Sequence, residues 1–317
     1  MEHLSFQTTF LATLQILLMG LCGYAFFKGK MIDEQGLRTL SGLSINVFWP
    51  CFVFYQLTQN FDFKTYAHWW SFPVLSFSLT LLGLLVAGFL LVFCKCVSAK
   101  KEFIALAAFQ NSGFIPLLLV TALFSPAIAQ KLYVTIFLFL IGFDLSFWSL
   151  GVWLLARQRM KKFELKSLVN SPILTICASL LLIALGLQKF IPQVIINPVK
   201  LFSGCALPMA MIITGGNLAA IEIFGGNKKA IAWALAAKLL IMPALALGVV
   251  LSLRPDFLVG FLIVLQASVP SAMTLSVIAR HYRIEDDRLI NQGVFFSHVF
   301  SVVTIPIFLM LYAHLRM

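Results

Sequence analysis

Charged side chains are scarce in this chain: 23 lysines and arginines and 12 aspartates and glutamates in 317 residues, 11% in all. A soluble domain carries about 25%. Apolar residues make up 61%. A soluble globule of this length buries only about three quarters of its chain surface, so it could not hide that much apolar area. The scarcity excludes an ordinary soluble domain and points to hydrocarbon as solvent. About 20 apolar residues cross a bilayer core of about 30 Å. Metal and disulfide patterns are equally thin. Cys22, Cys51, Cys177 and Cys205 lie inside apolar runs, where a free thiol behaves as a small hydrophobe. Cys94 and Cys96 form a lone Cys-x-Cys with no histidine or second pair at zinc spacing. No metal, cofactor or disulfide framework is expected. There is no His-x-x-x-His, no Ser/His/Asp set and no acidic pair at catalytic depth, and His3, His68, His281 and His314 are scattered near ends and loops. An enzyme is therefore not expected. Nothing resembles a repeated filter or a charged ring of a channel.

What the sequence does have is basic charge, a net +11. It sits in short connections between apolar runs, not along a helix face, so a nucleic-acid partner is not implied. Ten apolar segments can be marked: 6–27, 36–58, 70–93, 103–124, 132–156, 168–187, 198–221, 230–252, 257–279 and 291–315. The first is long, followed by Lys28 and Lys30, and has no small-residue cleavage site, so it reads as a span and not a signal peptide. With the chain start placed outside, alternate connections on the inside hold 16 basic residues, from Lys28 to Arg288. The outside holds Lys64, Lys131, Lys189, Lys200, Arg254 and Arg316, which is six. The one basic residue that remains, Lys238, falls well inside a span. That bias follows the positive-inside rule and places both termini outside a bacterial inner membrane.

The connection 157–167 divides the chain into five spans before it (1–156) and five after it (168–317). Five is odd, so the second set enters the membrane inverted, the condition for an inverted-topology repeat. The expected fold is thus an all-α membrane protein of ten helices in two inverted five-helix repeats, with 157–167 as a cytoplasmic linker. Weak echoes support the repeat. Pro50 and Pro208 are 158 residues apart, and Gln110 and Gln266 are 156 apart.

Spans four and nine carry polar clusters ending in proline: Gln110-Asn111-Ser112-Gly113-Phe114-Ile115-Pro116, and Gln266-Ala267-Ser268-Val269-Pro270-Ser271. Proline removes a backbone donor and clashes with the carbonyl four residues back, here those of Ser112 and Gln266. Gly113 lets the chain turn at low steric cost. Freed backbone is tolerable only where it lines a polar cavity. Each break also starts a new half-helix at mid-depth, whose N-terminus attracts anions. Two such ends facing each other make a central site for a carboxylate. The plainer alternative is two kinked helices whose amides and hydroxyls bind neighbouring helices.

The ten-span plan, the Asn111-Ser112-Gly113-Phe114-Ile115-Pro116 run and the proline-broken span nine resemble the auxin efflux carrier family, which is related in fold to the bile acid:sodium symporters. Its bacterial members include proteins described as malate and malonate permeases. The resemblance covers essentially the whole chain. It implies a scaffold domain, a second domain in which spans four and nine cross, substrate bound at the crossing, and elevator-like or rocking alternating access. The long central loop of the plant members is absent, so loop-based regulation is not carried over.

Ionisable residues at membrane depth are costly and invite a functional reading. Asp144 is a candidate proton carrier or cation ligand, or else a paired structural group. Lys238 is a candidate to neutralise a substrate carboxylate or to pair with Asp144; alternatively it snorkels to the surface. His298 is a candidate for a proton relay, or a hydrogen-bonded structural group. Asn46 and Asn217 either face the crossing or bond helices together. The expected function is secondary transport or facilitated passage of a small organic anion, with a proton gradient, a sodium gradient or neither as the driving force. A sodium-coupled symporter of a larger amphipathic anion and an anion channel are the alternatives. The bilayer is a partner, and a homodimer is left open.

Overall fold

The computed structural model describes residues 4–94, 97–157, 170–222, 225–284 and 287–316. Most of the expected 157–167 connection lies outside the described residues. Among the described residues the protein is all-helical, with one isolated β-bridge. The helices are α1 (Phe6–Lys28), α2 (Glu34–Asn60), α3 (Ser71–Phe93), α4 (Lys100–Ala108), α5 (Phe114–Leu123), α6 (Pro126–Ala156), α7 (Ser171–Ala184), α8 (Gln193–Ala219), α9 (Lys228–Leu253), α10 (Phe257–Ser268), α11 (Thr274–His281) and α12 (Asp287–Arg316).

Seven of these, α1, α2, α3, α6, α8, α9 and α12, are long and apolar enough to cross a membrane, and α5, α7 and α10 are shorter apolar helices. Side chains such as Leu85, Phe89 and Val92 on α3 and Leu201 on α8 are exposed. Such a surface suits lipid and not water. Two of the ten expected segments are not single helices. The fourth is split into α4 and α5 by residues 109–113, and the ninth into α10 and α11 by residues 269–273.

Three long helices each contain one wide π turn, at Ser44–Phe48, Phe147–Gly151 and Ala237–Ile241. The first and third end two residues before Pro50 and Pro243. Proline lacks the N–H for the carbonyl four back and crowds it, and a locally widened turn accommodates that carbonyl.

Packing sorts the helices into two sets. In one, α8 lies on α1 and α2, and α2 also on α7. In the other, α3 packs on α4 and α6, α9 on α10 and α12, and α12 on α4, α10 and α11. Each set draws on helices from both sides of residues 157–167. Glycine sets the closest approach in each. A Cβ on Gly215 of α8 would lie 1.8 Å from the Gly20 carbonyl oxygen of α1, and one on Gly142 of α6 would lie 2.1 Å from that of Pro73 in α3. Contacts of α1 with α5 and α12, and of α2 with α6, join the sets.

Candidate functional site

The two breaks meet. Residues 109–111 and 270–272 run antiparallel and share two main-chain hydrogen bonds: Asn111 N–H donates to the Pro270 carbonyl at 2.8 Å, and Ala272 N–H to the Phe109 carbonyl at 2.9 Å. Non-helical backbone at membrane depth needs such partners, because lipid supplies none. Side chains tie the same place. Gln266 Nε2 donates to the Ser112 carbonyl at 3.0 Å, and Ser271 Oγ to that of Leu106 at 2.7 Å. Ser112 precedes the N-cap Gly113, outside the helical ladder, and Pro116 has no N–H to reach back to its carbonyl; the Gln266 amide is the donor it takes. Ser271 N–H in turn donates to Ser297 Oγ of α12 at 3.2 Å.

The breaks fall at different positions from those the echo implied. The half-helices before them end at Ala108 and Ser268, and those after them start at Phe114 and Thr274; both pairs are 160 residues apart. Gln266 therefore lies within the last turn of α10, while Gln110 lies in the extended break. The 156-residue spacing of the two glutamines pairs residues with different roles. Gly113 has φ −100°, so the turn does not use glycine's left-handed freedom, and a Cβ there would meet the Trp49 ring at 3.5 Å.

A cavity of about 780 Å³ opens at the crossing. Its buried end is formed by Gln110, Asn111 and Ser112, and residues Gly113, Phe114, Met273 and Thr274 at the starts of α5 and α11 also line it. No side chain caps either start, so each brings the partial positive charge of a helix N-terminus to this space, although Leu275 and Ser276 N–H bond back to the Ala272 and Met273 carbonyls. The wall contributes Trp49, Phe143, Phe147, Asp144, Thr214, Asn217 and Ser276. The other end reaches Glu34, Arg38, Arg280 and His281, all exposed; Arg38 and Glu34 there form an ion pair at 3.6 Å. Gln110 is completely buried, and neither atom of its amide has a hydrogen-bond partner; the same is true of Ser112 Oγ. Buried polar atoms without partners are costly, and here they adjoin a space that a polar ligand or water can fill.

The cavity brings together many of the residues singled out in the sequence: Gln110, Asn111, Ser112, Gly113, Asn217 and Asp144. Gln266 and Ser271 brace the crossing from behind, and Pro270 is part of the bridge. Ser268, completely buried, spends its hydroxyl on the Val264 carbonyl of its own helix. Pro116 is the third residue of α5. His298 sits beside Asn111, its Nε2 3.4 Å from Asn111 Nδ2, while Nδ1 lies 2.8 Å from the Val294 carbonyl. With Nδ1–H donating to that carbonyl, Nε2 is free to accept from the amide. His298 faces a second, smaller cavity of about 190 Å³ between α1, α8 and α12.

Two residues lie elsewhere. Asn46 is exposed, outside the cavity lining, and donates to the Gly42 carbonyl one turn back in its own helix. Lys238 lines neither cavity and is 1% exposed, so it does not snorkel to the surface. No ion pair joins it to Asp144 among the described residues. Trp49 is the clearest omission from the sequence reading. It lines the cavity with its ring centroid 4.7 Å from that of Phe114. Its only signal was its place beside Pro50. Thr214 and Ser276 gave none.

A chain of long apolar helices with two broken segments tied together over a polar-ended cavity has the build of a multi-pass membrane transporter. It belongs to the membrane transport protein family, the auxin efflux carrier and PIN-like group, whose pattern matches residues 8–309. It is 26% identical over 96 residues to Protein PIN-LIKES 2 of Arabidopsis thaliana, covering 30% of this chain and 21% of the plant protein. It is 25% identical over 111 residues to an uncharacterized transporter of Schizosaccharomyces pombe, covering 35% of this chain and 25% of the yeast protein. The matched stretches thus span a quarter or less of these relatives' own lengths.

Proposed function

We propose that the protein is a secondary transporter or facilitator of a small organic anion, a carboxylate, working by alternating access at the crossing of α4–α5 with α10–α11. The observation that carries this reading is the pairing of two uncapped half-helix starts with unpartnered Gln110 and Ser112 atoms at the buried end of one cavity. Such an end favours a carboxylate group, and the aromatic wall of Trp49, Phe143 and Phe147 suits an apolar body. The volume also leaves room for the second reading, a larger amphipathic anion carried with sodium.

The proposal includes ten membrane crossings, with α4–α5 and α10–α11 each counted once, in two inverted sets of five. It also places both termini outside a bacterial inner membrane. The mouth at Arg38 and Arg280 then faces the cytoplasm. Asp144 is the proposed coupling group if transport is proton-linked, with His298 behind the crossing as its relay partner. Thermal-shift screening of the purified protein against mono- and dicarboxylates, with and without sodium, tests the ligand class. Saturable counterflow in liposomes then tests carriage. Failure of every carboxylate to stabilise the protein would overturn the reading. A Met160→Cys variant should react with an impermeant thiol reagent only in permeabilised cells, and labelling of intact cells would reverse the orientation.

A further inference from the structure

The crossing has two electrostatic sides. The starts of α5 and α11 face the large cavity. The half-helices α4 and α10 end at the same place, at Ala108 and Ser268, and helix C-termini carry partial negative charge on carbonyls that lack helical donors. Pro270 adds to this, because without an N–H it leaves the Gln266 carbonyl unserved.

A lysine is packed on that side. The π turn Ala237–Ile241 of α9 lies against α4, α10, α3 and α12. Lys238 is its second residue, and among the described residues it is the only buried lysine or arginine. Its Nζ has no hydrogen-bond partner. The first turns of α9 run beside α4. The five-residue π turn that carries Lys238 contacts both α4 and α10, and both of these helices end at the crossing, which puts Lys238 near that level. No carboxylate of the packed helices is close to that level. Glu102 lies seven residues before Phe109, about 10 Å away along α4, and Asp287 opens α12, eleven residues or about 16 Å before His298. A buried lysine without a carboxylate either gives up its proton or keeps its charge where the surrounding dipoles are negative, as the carbonyl ends of two helices are.

We propose that Lys238 is a built-in counter-cation for the C-terminal ends of α4 and α10, filling at the crossing the place that an inorganic cation would otherwise take. The positive charge is attached to the chain, so the crossing needs no sodium to hold its two carbonyl ends together. The electrostatic role stands on the packing alone. Only its consequence for coupling, sodium-independent carriage, rests on the proposed function. The test therefore reads stability and not transport.

Melting temperatures of purified protein would be compared in sodium chloride and choline chloride. Wild type and Lys238→Arg should melt alike in both salts. Lys238→Ala, which leaves room and no charge, should melt about 3 °C higher in about 200 mM sodium, as expected for a cation near tenfold its Kd. Absence of a sodium response in Lys238→Ala, or one of this size in wild type, overturns the proposal. If Lys238→Ala does not fold, Lys238→Ser takes its place with the same two readings. Loss of both neutral variants while Lys238→Arg folds supports a requirement for charge. Loss of Lys238→Arg as well shows that shape and not charge is required, and overturns it.

Discussion

The break at 109–113 is polar and carries its proline after it, whereas the break at 269–273 is mostly apolar and carries its proline within it. Their backbones nonetheless do the same work. Each interrupts a helix, gives one N–H and one carbonyl to the bridge, and starts a new helix facing the cavity. Their side chains are complementary. The second segment supplies both cross-ties, from Gln266 and Ser271, and both land on carbonyls of the first, at Ser112 and Leu106. The first supplies the side-chain atoms left without partners at the buried end of the cavity, those of Gln110 and Ser112. One break braces and the other is left free to bind. Matching backbone geometry therefore does not require matching residues.

That division can be broken experimentally, starting with the largest effect. Gln266→Leu leaves the buried Ser112 carbonyl without its donor, which costs about 1–3 kcal/mol. Both melting temperature and liposome counterflow should fall, and an unchanged melting point would remove Gln266 from the bracing role. Asn111→Leu should abolish counterflow while lowering stability much less, because its side chain has only the 3.4 Å contact with His298 to lose. Ser271→Ala deletes the other tie, a 2.7 Å bond, and should cost about 1 kcal/mol. A loss larger than that of Gln266→Leu would reverse the ranking of the two ties. Asp144→Asn concerns the cavity wall and neither break. It should flatten any pH dependence of uptake and leave the melting point near wild type; a pH profile that survives intact excludes Asp144 as the coupling group. Gly113→Ala should do least, under about 1 kcal/mol, since φ is negative and the added carbon meets Trp49 at an ordinary 3.5 Å. A severe loss there would mean that the ligand occupies the space of that methyl group.

The features legible in the sequence are those written locally. Apolar runs located the long helices, and proline with polar neighbours marked where segments four and nine break. The tie from Gln266 to Ser112 joins residues 154 apart, and no local pattern encodes a partner at that distance. Gln110 and Gln266 look like repeat mates, yet one is in extended chain and the other in a helix. Asn46 was ambiguous because an amide in a helix serves its own backbone as readily as a neighbour, and it does so through Gly42. Lys238 suggested snorkelling because its long side chain could reach a surface. Four packed helices around a π turn close that route.

The bridge at the crossing is made of peptide groups. Ordinary replacements at Asn111 and Ala272 change what hangs from it and leave its two main-chain bonds in place. Only proline, lacking the amide hydrogen, deletes one directly. The chain can therefore vary the chemistry it presents at this spot while its central fastening is inherited unchanged, and a change of cargo does not demand a new joint.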